Sequence, residues 1–176
     1  MSHPSFRFRL ADAAWEERLE QVAAEPVPGT IRVAYEHRPG FLPSLSVLGD
    51  DCQVVVGHHG EHIDGLGVRS TRRQYLDGEP RRLGYLGGLR IRPSSRSTIG
   101  LARGYAFLRQ LHEQDPVPGY LTTVIASNTA ARAILESGRA GLPAYRDCGT
   151  YTTNVLAGKN APLPPGIRPA GPADTE

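Results

Sequence analysis

Leu89-Arg90-Ile91-Arg92-Pro93-Ser94-Ser95-Arg96-Ser97-Thr98-Ile99-Gly100-Leu101-Ala102 is the stretch on which the fold of this chain turns. Upstream of Pro93 the residues read as a strand, Arg81 to Arg92, carrying Leu83, Tyr85, Leu86, Leu89 and Ile91. Proline has no N–H to give to a sheet ladder, so Pro93 stops it. A polar loop, Ser94 to Thr98, then opens a helix from about Gly100 to Gln114, with Leu101, Tyr105, Leu108 and Leu111 on one face at helical spacing. A helix start offers unpaired N–H groups and the positive end of the helix dipole. Ser97, Gly100 and Ala102 are small enough to let an anionic ligand approach that backbone, and Arg96 adds charge. An ordinary strand-to-helix turn needs no more than this, and the segment alone leaves both readings open.

Working outward, Phe6, Phe8 and Leu10 alternate with Arg7 and Arg9, the period of a half-buried strand. Asp12 can cap a helix from Ala13 to Ala24 that turns Trp15, Leu19 and Val22 inward and Glu16, Glu17 and Glu20 to water. Residues Thr30 to Asp51 form a loop-rich connector, in which Ile31, Val33 and Tyr35 read as a strand or as part of a short helix before Pro39 and Pro43. Cys52 to Val56 is a strand turned by Gly57 to Gly60, and a second runs from Ile63 to Tyr75 with a bend at Gly65 or Gly67. Asp77-Gly78 is a hairpin turn leading into the Arg81–Arg92 strand. Downstream, Tyr120 to Ala126 reads as a strand and Asn128 as the cap of a helix from Thr129 to Ser137. A last strand or hairpin covers Tyr145 to Leu156, and Ala157 to Glu176, with five prolines and little apolar periodicity, reads as a disordered tail. The chain thus reads as one domain, 1–156, plus that tail.

Composition bounds the function classes. At 176 residues, 39% hydrophobic and 22% charged, this is an ordinary globular composition. No apolar run approaches the roughly 20 residues of a membrane span, and Met1 to Leu10 lacks the apolar centre of a signal peptide, so no membrane is expected and the cytoplasm is the default location. A net charge of +2 and 7% aromatic residues argue against a nucleic-acid partner. Cys52 and Cys148 lie outside any CxxC pattern and read as reduced thiols, with no metal site. His58-His59-x-x-His62 sits among glycines and reads as a solvated turn. Phosphate-loop, nucleophile-elbow and dinucleotide fingerprints are absent from the sequence, so kinase, hydrolase and dehydrogenase readings lose their main support.

Two segments carry a resemblance. The quoted stretch is similar to the central motif of the GNAT superfamily of acyl-CoA N-acyltransferases: a strand ending before Pro, then Arg or Gln and a Gly-rich turn into a helix. About 30 residues on, Val124-Ile125-Ala126-Ser127-Asn128, with Ala131, Leu135-Glu136 and Gly138, resembles that family's second motif. The resemblance implies an α/β (α+β) fold: a mixed, mostly antiparallel sheet splayed between the Arg81–Arg92 and Tyr120–Ala126 strands, helices on both faces, with Gly87-Gly88 as a bulge that assists the splay. It implies acetyl-CoA or another acyl-CoA as co-substrate, with Leu89, Arg90 and Ile91 along the pantetheine. Arg96, Ser97, Thr98, Ile99, Gly100, Leu101 and Ala102 would lie on the pyrophosphate, and Asn128 near the thioester. The acceptor would be a small-molecule or peptide amine, and many proteins of this kind are homodimers.

Three departures bear on the chemistry. The first glycine of the turn falls one place late, at Gly100. Leu135 stands where many members carry the Tyr that protonates the leaving thiolate, which leaves Tyr145 and Tyr151 as the candidate acids. The strand before Pro93 has no carboxylate in Tyr85-Leu86-Gly87-Gly88, so the candidate bases by class are Glu36, Asp50, Asp51, His58 and His59. The sequence therefore admits two readings: an N-acyltransferase working by direct amine attack, or a catalytically degenerate module of the same fold that holds CoA or another ligand.

Overall fold

The computed structural model describes residues 6–25, 36–95, 98–139, 141–154, 165–169 and 171. Its centre is a five-stranded sheet in the order β1 (Arg7–Leu10), β2 (Asp51–His59), β3 (His62–Leu76), β4 (Glu79–Ile91) and β5 (Tyr120–Leu121). The first four strands are antiparallel and β5 joins β4 in parallel, so the sheet is mixed and mostly antiparallel. Short turns join β2 to β3 and β3 to β4, whereas residues 11–50 connect β1 to β2. Asp77 (φ 53°) and Gly78 (φ 80°) both adopt positive φ, the geometry that suits a two-residue hairpin between strands of right-handed twist.

One face is covered by α1 (Glu16–Ala23) and α2 (Phe41–Ser44). Asp12 caps the entry to α1 by accepting from the Ala14 N–H at 3.0 Å. Trp15, Leu19 and Val22 then bury against Phe41, Leu45, Val54, Val56, Ile63, Leu66 and Val68, the main core. Glu16 does not face water as its place in the helix suggests. Its carboxylate accepts from the Leu42 N–H at 3.1 and 3.2 Å, satisfying a first-turn amide of α2. The other face is covered by α3 (Thr98–Gln114), where Phe107 stacks on Phe8 of β1 with centroids 6.4 Å apart. Helices therefore lie on both faces, as expected.

Several boundaries differ from the sequence reading. α3 starts at Thr98 rather than Gly100, so Gly100 lies inside the helix and needs no unusual backbone angle. β5 spans two residues, not the seven from Tyr120 to Ala126, and residues 122–126 run on without strand pairing. α4 (Thr129–Leu135) is capped as read, by Asn128 accepting from the Ala131 N–H at 3.2 Å. The strand or hairpin expected from Tyr145 does not form in residues 145–154, which have no regular structure. A run of apolar and β-branched residues needs a partner edge to become a strand, and here it finds none. The Ile31, Val33 and Tyr35 segment and most of the Ala157–Glu176 tail lie outside the described residues, as do Leu156 and its neighbour at 155. Among the described residues no helix is long and apolar enough to cross a membrane.

Candidate functional site

β4 has two unlike halves, and the site follows from the difference. In its first half Gly84 and Tyr85 pair with Tyr120 and Leu121. A buried polar cluster holds that junction. Arg69 is only 1% exposed. Its guanidinium donates to the Tyr120 hydroxyl at 2.9 Å, to Gln53 Oε1 at 2.9 Å and to both the backbone oxygen and the carboxylate of Asp115, the latter at 3.1 Å. Arg82 donates to the same carboxylate and, at 2.6 Å, to Thr71 Oγ1. With Arg82 and then Arg69 donating to it, the Asp115 carboxyl is lowered to about 2. Gly84 completes the joint, because a Cβ there would overlap the Tyr120 ring.

The second half opens. Val68 pairs with Gly87 and Leu66 with Arg90, so β4 carries one extra residue between them. That is a β-bulge, with Gly88 at φ +62°, and it sits where the two glycines suggested it. Past the bulge, the Arg92 N–H donates to Asp64 O at 2.8 Å. Strand alternation then turns the N–H and C=O of Leu89 and Ile91 the opposite way, onto an edge that faces no strand among the described residues.

That edge lies on a cleft of about 570 Å3. Gly100, Leu101, Gly104, Tyr105 and Leu108 of α3 line one side. Residues 122–125, Asn128, Leu135 and Tyr145 also line it, with Thr123 Oγ1 2.8 Å from the Tyr85 hydroxyl of β4, and so do His37, Phe41, Leu45 and Leu48 from α2 and its flanks. Leu89 and Ile125 at its rim are exposed, as apolar walls awaiting a ligand are. Two polar atoms among its lining residues, His37 Nδ1 and Thr122 Oγ1, are buried without a hydrogen-bond partner among the described residues.

The residues singled out from sequence divide here. Leu89, Arg90, Ile91, Gly100, Leu101 and Asn128 all line the cleft. Thr98, Ile99 and Ala102 lie in the first turns of the adjoining helix, with Ile99 74% exposed, while Arg96 and Ser97 fall outside the described residues. Asn128 uses its side-chain oxygen to cap α4, which leaves its NH2 group as the part able to serve a ligand. The two tyrosines separate. Tyr145 lines the cleft with its hydroxyl 2.9 Å from that of Tyr105, whose own ionisation is pushed well up by burial and by this bond. Tyr151 is 72% exposed and lines an adjoining depression rather than the cleft.

Of the candidate bases only Glu36 lines the cleft, with its carboxylate paired to Arg38. Asp50 is exposed at the start of β2, Asp51 faces Arg82 at 3.5 Å, and His58 bonds the Gly60 carbonyl at 2.6 Å. His59 lies 2.6 Å from a carboxylate oxygen of Asp64, which also accepts from Ser95. Burial alone would raise the Asp64 carboxyl, but these hydrogen bonds and the charges of His59 and His62 hold it below the ordinary range. No group of histidines, cysteines and acids able to hold a metal occurs among the described residues. Cys52 and Cys148 are both free, as expected, and burial followed by the nearby Asp51 and Asp50 pushes the Cys52 thiol up. Sequence reasoning missed His37 and Thr122, and nothing in their local pattern marks either.

No family model matches this chain, and no curated protein does. Solved structures do match its fold. A transcriptional regulator from Bacillus halodurans C-125 is 15% identical, with a TM-score of 0.64 over 86% of this chain and 100% of that one. The aminoglycoside N-acetyltransferase AAC(6')-Iy in complex with CoA is 14% identical, with a TM-score of 0.61 over 88% and 98%. The glucosamine-6-phosphate N-acetyltransferase from Arabidopsis thaliana is 12% identical, with a TM-score of 0.54 over 85% and 99%. The chain has the GNAT fold that its two motifs resemble.

Proposed function

We propose that this chain is an acyl-CoA-dependent N-acyltransferase, with acetyl-CoA as donor and a primary amine as acceptor. The observation that carries the reading is the opening of the sheet beyond Gly88, which turns the backbone edge of Leu89 and Ile91 away from β3 and onto an apolar cleft, with the Arg90 guanidinium donating to the Leu89 carbonyl at 3.1 Å. An extended amide-bearing arm such as pantetheine can pair with that edge as an added strand would. The start of α3 brings the positive end of a helix dipole to the end of the same edge, where a pyrophosphate would sit. That three solved structures of this fold carry the name N-acetyltransferase, one of them in complex with CoA, supports the same reading.

In such a site a backbone N–H of the open edge stabilises the oxygen of the thioester as the amine attacks. Alignment of the two reactants supplies much of the remaining rate. We assign the protonation of the departing sulfur to Tyr145, because it lines the cleft and Tyr151 does not.

A binding module of the same fold is the second reading. Leu135 is buried in the cleft wall at the position where an acid is usual, and the Tyr145 hydroxyl is engaged with Tyr105. Two measurements decide. Titration calorimetry with acetyl-CoA should show saturable binding, and no heat at millimolar ligand sinks both readings. Thiol release over a panel of amines then separates enzyme from module.

A further inference from the structure

Behind the open half of β4 a buried carboxylate ties three elements together. Asp64, near the start of β3, is buried and lines the cleft together with Ser95. Its backbone oxygen accepts from the Arg92 N–H at 2.8 Å. One oxygen of its carboxylate accepts from the Ser95 hydroxyl, and the other lies 2.6 Å from His59 Nδ1 at the end of β2. The Ser95 N–H in turn donates to Arg92 O at 2.9 Å, closing the turn of residues 93–95 that follows β4. Burial alone would raise the Asp64 carboxyl, yet the bonds from Ser95 and His59 hold it below the ordinary range, so at neutral pH it is a charged acceptor. A hydrogen bond to such an acceptor is about twice as strong as one between neutral groups. Gly65 keeps the two strands close here, because a Cβ on it would lie 2.8 Å from Arg90 O.

A carboxylate beside a cleft for an anionic ligand costs affinity unless its oxygens are already taken. Here both are. The hydroxyl that takes one belongs to Ser95, three residues before α3 opens at Thr98. His59 holds the other oxygen, so the carboxylate cannot turn away from Ser95. The approach to α3 is thus fixed from β3, across the sheet, and not only by the strand that leads into it. We infer that Asp64 is a positioning residue for the donor: through Ser95 it sets where the start of α3 stands against the open edge of β4, and so how firmly the pyrophosphate of an acyl-CoA is held. The inference rests on the acyl-CoA reading and adds to it a determinant of donor affinity that lies outside the open edge and the helix. A ligand that ends short of α3, such as pantetheine, should be indifferent to this link.

The test uses the full chain and titration calorimetry with two ligands, CoA and pantetheine, the second of which lacks the pyrophosphate. Ser95→Ala removes the donor to Asp64 and should weaken CoA about tenfold, the scale of one lost hydrogen bond to a charged group, with pantetheine affinity unchanged. Asp64→Asn keeps an oxygen for Ser95 but removes the charge, and should weaken CoA by less. Ser95→Thr restores the hydroxyl and should restore CoA affinity. A thermal melt of each variant checks that it folds. Undiminished CoA affinity in Ser95→Ala overturns the inference. So does an equal loss for CoA and pantetheine, or a loss that Ser95→Thr does not recover, since either marks a general loosening of the cleft. A wild-type chain that binds CoA no better than pantetheine holds no pyrophosphate, and the inference falls with the acyl-CoA reading intact. Absence of CoA binding by the wild type overturns the inference together with the function it rests on.

Discussion

The two halves of β4 make opposite use of the same strand. From Glu79 to Tyr85 it pairs with β3, at Gly84 and Tyr85 it also pairs with β5, and a buried arginine ties that junction to the end of α3. From Gly88 to Ile91 only the β3 edge is used, and the other edge opens on the cleft. The closed half is an anchor that fixes the angle at which β5 leaves. The open half is a backbone surface that faces the cleft rather than a further strand. Stability and binding thus separate along about 40 Å of one strand, given the usual rise of about 3.4 Å per residue.

The largest break in this contrast should come from Arg69→Ala. It strips partners from Tyr120, Gln53 and Asp115 together and leaves a cavity, for a loss of about 3 kcal/mol, toward the low end for a broken buried pair because Asp115 keeps some solvent. Urea unfolding would measure it, and a loss within error of zero would mean that the cluster does not hold the closed half. Gly84→Val is next. Its side chain must displace the Tyr120 ring, an overpacking cost of about 2 kcal/mol, and β5 should fray, read out as faster amide exchange at Tyr120 and Leu121.

Gly88→Ala acts on the open half. A Cβ at positive φ costs about 1 kcal/mol, and the bulge should relax toward a regular ladder. CoA affinity should then fall further than stability does, and calorimetry beside a thermal melt would reveal the reverse. The smallest effect concerns acid. The Asp115 carboxyl sits lower in the folded chain, at about 2, than in the unfolded chain, so its contribution is present above its ordinary value of 3.8 and is lost as pH falls toward 2. Asp115→Asn should flatten that part of the stability–pH curve and leave the cleft unaltered.

What could be read in advance was local. The alternation of β1, the Asp12 cap, the Asp77-Gly78 turn, the Gly87-Gly88 bulge and the Asn128 cap each depend on neighbours in sequence, and each stands where the residues put it. The misplaced features depend on distant partners. Residues 122–126 have the composition of a strand, yet whether they pair is decided by the opening of β4. Arg69 looks like any other arginine until the fold brings Gln53, Asp115 and Tyr120 around it. His37 lies in the weakly patterned connector, and its solvated-looking neighbours Glu36 and Arg38 give no sign of a buried ring nitrogen.

The sequence by itself determined the run of strands and helices and the point at which the central strand bends. Turn geometry, caps and glycine backbone freedom are short-range effects, written in a few consecutive residues. Tertiary structure alone decided how far the sheet zips before it opens, which tyrosine enters the cleft, and which polar atoms are left there without partners. Those outcomes are set by competition among groups far apart in the chain for the same hydrogen bonds and the same buried space.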